Sequence, residues 1–237
     1  MPQIRPIVST KPRAMNGKDA TAKNPFDHPD VAKLFDELFP VLVSESDRGA
    51  VLIAAAQVDR QLRILFEQIA PADLGTKALR GLLKGPLRSL AVRAHTARVT
   101  KLISKHVYDA IGHLRDLRNE IAHSPSSFRL AEHEDRIRKV YDLVGPNLSV
   151  DINRLANELM VRGLIDNVLE LKHPLDDNKP AFKNAGEVLD HLASKPELTK
   201  PLEDKRPRWE LAIGITLLCA TIIFDRDDAK KRLSKQE

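Results

Sequence analysis

Cysteine is almost missing from this 237-residue chain, where Cys219 stands alone. No internal disulfide can form, and no thiolate metal cluster is available. Aromatic residues make up only 4% of the sequence. That is poor material for a β-sandwich, whose strands favour aromatic and β-branched side chains. Neither charge sign dominates: Lys and Arg number 38 against 33 Asp and Glu, a net charge of +5. Such a balance tolerates an acidic partner without marking a nucleic-acid binder. Long apolar runs are missing too. The longest, Trp209 to Phe224, carries Glu210. It falls short of the roughly 20 residues a membrane helix needs, so it reads as a core helix. The first residues lack the apolar stretch of a secretion signal. These absences lead us to expect a cytoplasmic protein with no membrane partner, no cofactor and no metal.

What is present is helical. Hydrophobic residues make up 42% of the chain and charged residues 30%, with Leu and Ala abundant. This suits one good-sized core with a satellite lobe. Residues 1–27 scatter Pro2, Pro6, Pro12 and Pro25 among Arg and Lys without an apolar period, and are expected as a disordered basic arm. Residues 28–146 read as a helical bundle. A first helix is expected from Pro29 to Phe39, weakened or ended at Pro40. A second carries Val51, Ala55, Val58, Leu62, Leu65 and Ile69, capped by Ser46 or Asp47. Pro71 to Lys84 reads as a loop with at most a short helical turn. Gly85-Pro86 opens a third helix. Ser104 caps a fourth through His123, with Val107, Ile111, Leu114, Leu117 and Ile121 on its buried face. A fifth holds Ile137, Val140 and Val144 and stops at Gly145-Pro146.

Residues 147–207 read as a helical insertion or sub-lobe: one helix or two hinged near Gly163, a polar loop from Pro174 to Pro180, and a short helix capped by Asn184. No strand pattern emerges. Residues 208–237 form a closing helix, apolar almost all round and therefore central, with a charged tail. The expected fold class is all-α: a multi-helix bundle with antiparallel helices and a helical insertion before the last helix.

Chemistry concentrates at Arg118-Asn119-Glu120-Ile121-Ala122-His123, followed by Ser124-Pro125. Asn119 and His123 are four apart and share a helix face. Arg118 and His123 lie roughly 140° apart on an ideal helix, a span that a long arginine can bridge, particularly if the last turn unwinds. Metal-free cleavage of RNA needs a base for the 2′-hydroxyl, an acid for the leaving oxygen and a cation on the phosphate. An imidazole titrates in the right range for acid or base, and a guanidinium holds phosphate bidentately. One histidine does not serve both proton transfers easily, so a homodimer would supply the second. The competing structural role pairs these groups with a neighbouring helix terminus or with Asp47. Asp47 and Arg48 can likewise complete a polar pocket beside His123, or Asp47 can cap while Gly49 permits close helix approach. Asp59 reads as a surface or interhelical ion pair. Arg88, Arg93 and Arg98 fan around their helix, as a solvated face or a phosphate-binding one. The histidines show no metal-ligand spacing.

Two blocks resemble the mannitol operon repressor (MltR) family: Glu45-Ser46-Asp47-Arg48-Gly49-Ala50-Val51-Leu52 continuing into Asp59, and Gly85-Pro86-Leu87-Arg88-Ser89-Leu90-Ala91-Val92-Arg93. At the expected distance follow Leu102-Ile103-Ser104, Tyr108 and Leu114-Arg115-Asp116-Leu117-Arg118-Asn119. The resemblance spans roughly residues 30–145 and 205–225. It implies an all-helical protein of transcriptional repression without its own DNA-reading module, acting through a protein partner and as a homo-oligomer. Arg48, Asp59, Arg93 and Arg115 are its candidate binding positions. The Arg118–His123 segment also resembles the signature of HEPN-type helical ribonucleases, many of them toxins or anti-phage effectors. That resemblance implies a metal-independent endoribonuclease with Arg118, Asn119 and His123 as catalytic residues and RNA as partner. Because the glycine–proline block covers more of the chain than the six-residue motif, the sequence ranks the regulator first. Two copies of His123 across a shared cleft, open to solvent and lined by basic groups, favour the nuclease; His123 paired inside one subunit, with the main apolar patch elsewhere, favours the regulator.

Overall fold

The computed structural model describes residues 27–123, 128–142, 147–173 and 176–235. The expected basic arm lies outside them but for Asp27, and so do the stop signals Gly145-Pro146. The helices are α1 (Pro29–Ser44), α2 (Asp47–Ile69), α3 (Gly75–Lys84), α4 (Leu90–Val99), α5 (Lys105–His123), α6 (Glu134–Tyr141), α7 (Asn147–Leu169), α8 (Ala185–Ser194), the short α9 (Lys200–Glu203) and α10 (Arg206–Leu233). The protein is an all-α multi-helix bundle. α10 runs through its middle and packs against α1, α2, α6 and α7. By length and composition α10 resembles a membrane span, yet 72% of its apolar window is buried within the protein, so it is the core helix its sequence predicts.

Several elements differ from expectation, each for a physical reason. α1 continues through Pro40 to Ser44. Leu38, Phe39 and Leu42 on either side of the proline are buried in the core, and that packing outweighs one lost backbone hydrogen bond. Pro71 to Lys84 contains a true helix, α3, whose weak sequence signal reflects its situation: only Leu83 is buried on it. Gly85-Pro86 forms a turn instead of opening α4. The Leu87 N–H donates to the Leu82 carbonyl at 2.8 Å, and a Cβ on Gly85 would sit 2.9 Å from the Gly81 carbonyl oxygen. Ser89 then caps α4 by accepting from the Val92 N–H at 3.3 Å. α7 is one continuous helix without a hinge at Gly163. The loop expected from Pro174 to Pro180 includes a strand: β1 (Lys172–His173) pairs antiparallel with β2 (Asp176–Pro180) in a two-stranded hairpin that polar composition conceals.

Other expectations hold. Ser46 caps α2, Ser104 caps α5 and Asn184 caps α8, each through its side-chain oxygen. α1 is fastened to the far end of α10: Arg226 bonds Asp30 at 2.8 Å, and His28 bonds Asp227 at 2.9 Å.

A buried carboxylate helps tie the insertion to the core, into which Ile152 and Ala156 of α7 also pack. Glu210 on α10 is 2% exposed. It accepts from the Tyr141 hydroxyl at 3.0 Å and from the Asn153 amide at 2.7 Å, which joins α6 and α7 to α10. Burial, reinforced by the Glu210 charge, pushes the Tyr141 phenol well above its ordinary range, so it remains a donor. Gly214 lies beneath the same ring. A Cβ there would approach Tyr141 Cδ1 to 2.6 Å. Gly214→Ala should therefore force α6 away from α10 and destabilise the fold by roughly 1–3 kcal/mol. A denaturant midpoint indistinguishable from wild type would contradict this packing.

Candidate functional site

The site is organised from the first turn of α2. The Ser46 hydroxyl oxygen accepts from the Gly49 N–H at 3.1 Å, which frees the next two side chains for longer reach. Gly49 marks no close helix approach, and the atom nearest to a Cβ there is the movable end of the exposed Glu45 side chain. A Cβ would come within 2.6 Å of Glu45 Oε2 and 3.1 Å of the capping hydroxyl. Asp47 is not the cap. Its Oδ2 accepts from the Leu130 N–H at 2.8 Å, while Oδ1 takes both Nη2 and Nε of Arg208 at 2.6 and 2.9 Å. Arg48 donates from Nη2 to the Ile121 carbonyl at 3.0 Å. That carbonyl is one of the last four of α5, which have no intrahelical partner and carry the negative end of the helix dipole. Adjacent residues thus grip the two chain ends that flank residues 124–127.

α5 remains helical through His123. Asn119 and His123 stand on a common face, and Arg118 lies to one side as the intact helix requires. All three are exposed, and among the described residues none has a hydrogen bond or ion pair. Among the described residues no pairing with Asp47 or a helix terminus is made, while His123 in the last turn of α5 stands at the negative end of the helix dipole. Glu120, between them in sequence, turns elsewhere. It bonds Arg136 and approaches His133 Nδ1 at 3.9 Å, and His133 is stacked on Phe128 with ring centres 4.8 Å apart.

The four candidate binding positions Arg48, Asp59, Arg93 and Arg115 do not form one site. Only Arg48 reaches the end of α5. Arg93 is 5% exposed and grips Asp59 across α2 and α4, with contacts of 2.5 and 2.6 Å from Nη2, while Nη1 donates to the Leu87 carbonyl at 2.7 Å. This is the interhelical pair expected of Asp59, and it fastens the glycine–proline turn to the bundle. Arg93 is therefore no part of a solvated face. The pair floors a groove of about 930 Å³ between α2, α3 and α4, walled by Leu79 and Leu83, with Arg80, Lys84 and Arg88 along it. Arg115 lies on α5 near the motif, bonds Asp116 at 3.3 Å, and lines a cleft of about 420 Å³ with Lys105, Tyr108 and Gly112.

Sequence reading missed Arg208 as the partner of Asp47, since nothing local links residues 161 apart. It also missed Asp225, an acid that follows the apolar run of α10 and whose Oδ2 is shut away from solvent. A carboxylate at the edge of such a run was the available signal.

Two outcomes follow. Arg48→Ala should release the Ile121 carbonyl, cost about 1–2 kcal/mol, and speed amide exchange in the last turn of α5. Unchanged exchange there would remove the clamp. Asp59→Ala should leave a buried guanidinium unpaired and cost about 3 kcal/mol or more without altering exchange at the end of α5, as read by denaturation and exchange together. A neutral result would show that the pair does not fasten the turn.

Compared with family models, with curated proteins and with solved structures, the chain gives no match, so its reading rests on its own residues and geometry.

Proposed function

We propose that the working surface is the exposed end of α5 and that the protein is a HEPN-type, metal-independent endoribonuclease. The observation that carries this reading is that, among the described residues, the side chains of Arg118, Asn119 and His123 are exposed and have no intramolecular partner. By contrast Asp47, Arg48, Asp59, Arg93, Glu120 and Glu210 are all occupied in holding the fold. An amide and an imidazole on one face of a pinned helix end, with a long guanidinium to one side, are available to a ligand.

The chemistry is in-line transfer within RNA. A base removes the 2′-hydroxyl proton, and the oxygen attacks the adjacent phosphorus. The bond to the 5′-oxygen breaks, leaving a 2′,3′-cyclic phosphate, and an acid protonates the departing oxygen. His123 fills one proton-transfer role, and Arg118 meets the charge that develops on the phosphoryl oxygens. Asn119 orients the phosphate or sugar by hydrogen bonds from its amide. The second proton-transfer group comes from His123 of a second copy, so the active form is a homo-oligomer with the α5 ends facing across a shared cleft.

A second reading is favoured by a different observation. The groove beside the glycine–proline turn mixes Leu79 and Leu83 with Arg80, Lys84 and Arg88. Such a surface suits contact with an acidic, partly apolar protein segment, as an MltR-like regulator working through a partner would need.

RNA incubated with the protein in EDTA separates the two. The nuclease reading expects cleavage by wild type, a loss of roughly 10²–10⁴-fold in His123→Ala, and a marked loss in Arg118→Lys, which keeps the charge but not the bidentate fork. Equal cleavage by wild type and His123→Ala, or none by wild type, would reject the nuclease and leave the regulator.

A further inference from the structure

Gly112 sits in the middle of α5, where a glycine weakens a helix relative to alanine. The packing does not ask for it. A Cβ there would meet nothing within 4 Å. What adjoins it is the cleft of about 420 Å³ between α4 and α5, a volume within the range of small-ligand sites. Ala91 and Ala94 line it from α4, and Tyr108 and Arg115 flank the glycine on α5. Tyr108 is half-buried. Its ring is tilted at 59° to that of His95, with centres 6.1 Å apart, and its hydroxyl lies 3.4 Å from His95 Nδ1. The acids at the cleft are paired, Asp109 with Lys105 at 2.5 Å and Asp116 with Arg115 at 3.3 Å. The cleft therefore offers small side chains, an aromatic ring and a planar guanidinium, with its formal charges balanced.

This cleft is in line with the motif. Lys105, Tyr108, Gly112, Arg115, Asn119 and His123 follow one another at intervals of three or four residues. On a helix those positions form a single stripe. α5 is unbroken from Lys105 to His123, so the stripe runs from cleft to motif without interruption. Gly112 and His123 are roughly 16 Å apart along it, at about 1.5 Å of rise per residue. A strand with its phosphate at Arg118 and His123 can follow that stripe. Unpaired RNA is recognised through bases turned out onto aromatic rings and guanidinium planes. A base has a flat face and no charge, which suits a cleft whose charges cancel; a phosphate would ask for unpaired cations.

We infer that the cleft beside Gly112 is a base-binding subsite. It holds one nucleobase of a single-stranded RNA, stacked on Tyr108 and Arg115, a few nucleotides from the phosphate at His123. The glycine leaves the room that a side chain would take from the base. The inference rests on the RNA-cleavage reading and adds the form of the substrate: an unpaired strand long enough to span the stripe.

Fluorescence anisotropy of the full chain with a labelled single-stranded 2′-O-methyl oligoribonucleotide of roughly ten nucleotides tests it. That probe has no free 2′-hydroxyl, so it reports binding without cleavage. Wild type should bind it. Gly112→Leu fills the cleft and favours the helix, so it should fold at least as stably as wild type and bind at least about tenfold more weakly, the loss expected of one stacked base. Tyr108→Leu, which removes the ring and keeps apolar bulk, should weaken binding to a similar degree. Gly112→Leu should also raise KM for unmodified RNA of that length. No binding by wild type, or binding that both variants retain, would overturn the subsite. Binding that Gly112→Leu weakens, with no RNA cut by wild type, would keep the subsite and reject the cleavage reading. Cleavage by wild type that Gly112→Leu matches in KM would keep the cleavage reading and reject the subsite.

Discussion

Two neighbouring side chains in the first turn of α2 hold the end of α5 and the chain beyond it. Asp47 fixes the backbone at Leu130 and the start of α10, and Arg48 fixes the carbonyl of Ile121. Both contacts are charge-assisted, and Asp47 is nearly enclosed, with 14% of its side chain exposed. Bonds of this kind are stronger than neutral ones and directional. A helix end normally frays because its last carbonyls lack partners. Here the fraying is opposed from outside the helix, so the final turn of α5 stays helical through His123 and displays its side chains in fixed relation.

The same logic separates structural polar groups from free ones. A bundle of amphipathic helices needs few buried charges, and those it keeps must be paired. Arg93 with Asp59, Glu210 with Tyr141 and Asn153, and Arg226 with Asp30 each join distant segments. Among the described residues the side chains of Arg118, Asn119 and His123 join nothing. Their concentration in two turns at a clamped helix end gives the nuclease reading its physical content. Arg93 of the glycine–proline block, by contrast, is occupied in holding Asp59 and the turn.

Much of the fold is legible in the sequence, for reasons that vary from element to element. The seam of α2, the stripe of α5 and the all-round apolarity of α10 are periodic signals over many turns, and the capping residues Ser46, Ser104 and Asn184 are local chemistry. α3 and the β1–β2 hairpin escape because they bury little, so hydrophobic spacing has little to report. Pro40 misleads because tertiary packing overrides a local preference. In the candidate site, the motif residues and Asp59 as an interhelical partner are legible. The roles of Asp47 and Arg48 are not, because Leu130, Arg208 and Ile121 lie 83, 161 and 73 positions away. Asp225 is legible only as an acid at the edge of an apolar run, and its orphaned oxygen is a property of the packed structure.

The central claim is that Arg118, Asn119 and His123 have no part in holding the protein together. Equilibrium denaturation of a variant with all three replaced by alanine tests it most directly. The account predicts a stability within about 0.5 kcal/mol of wild type, as for ordinary surface substitutions. A loss of about 2 kcal/mol or more would show that these side chains are structural and would contradict it.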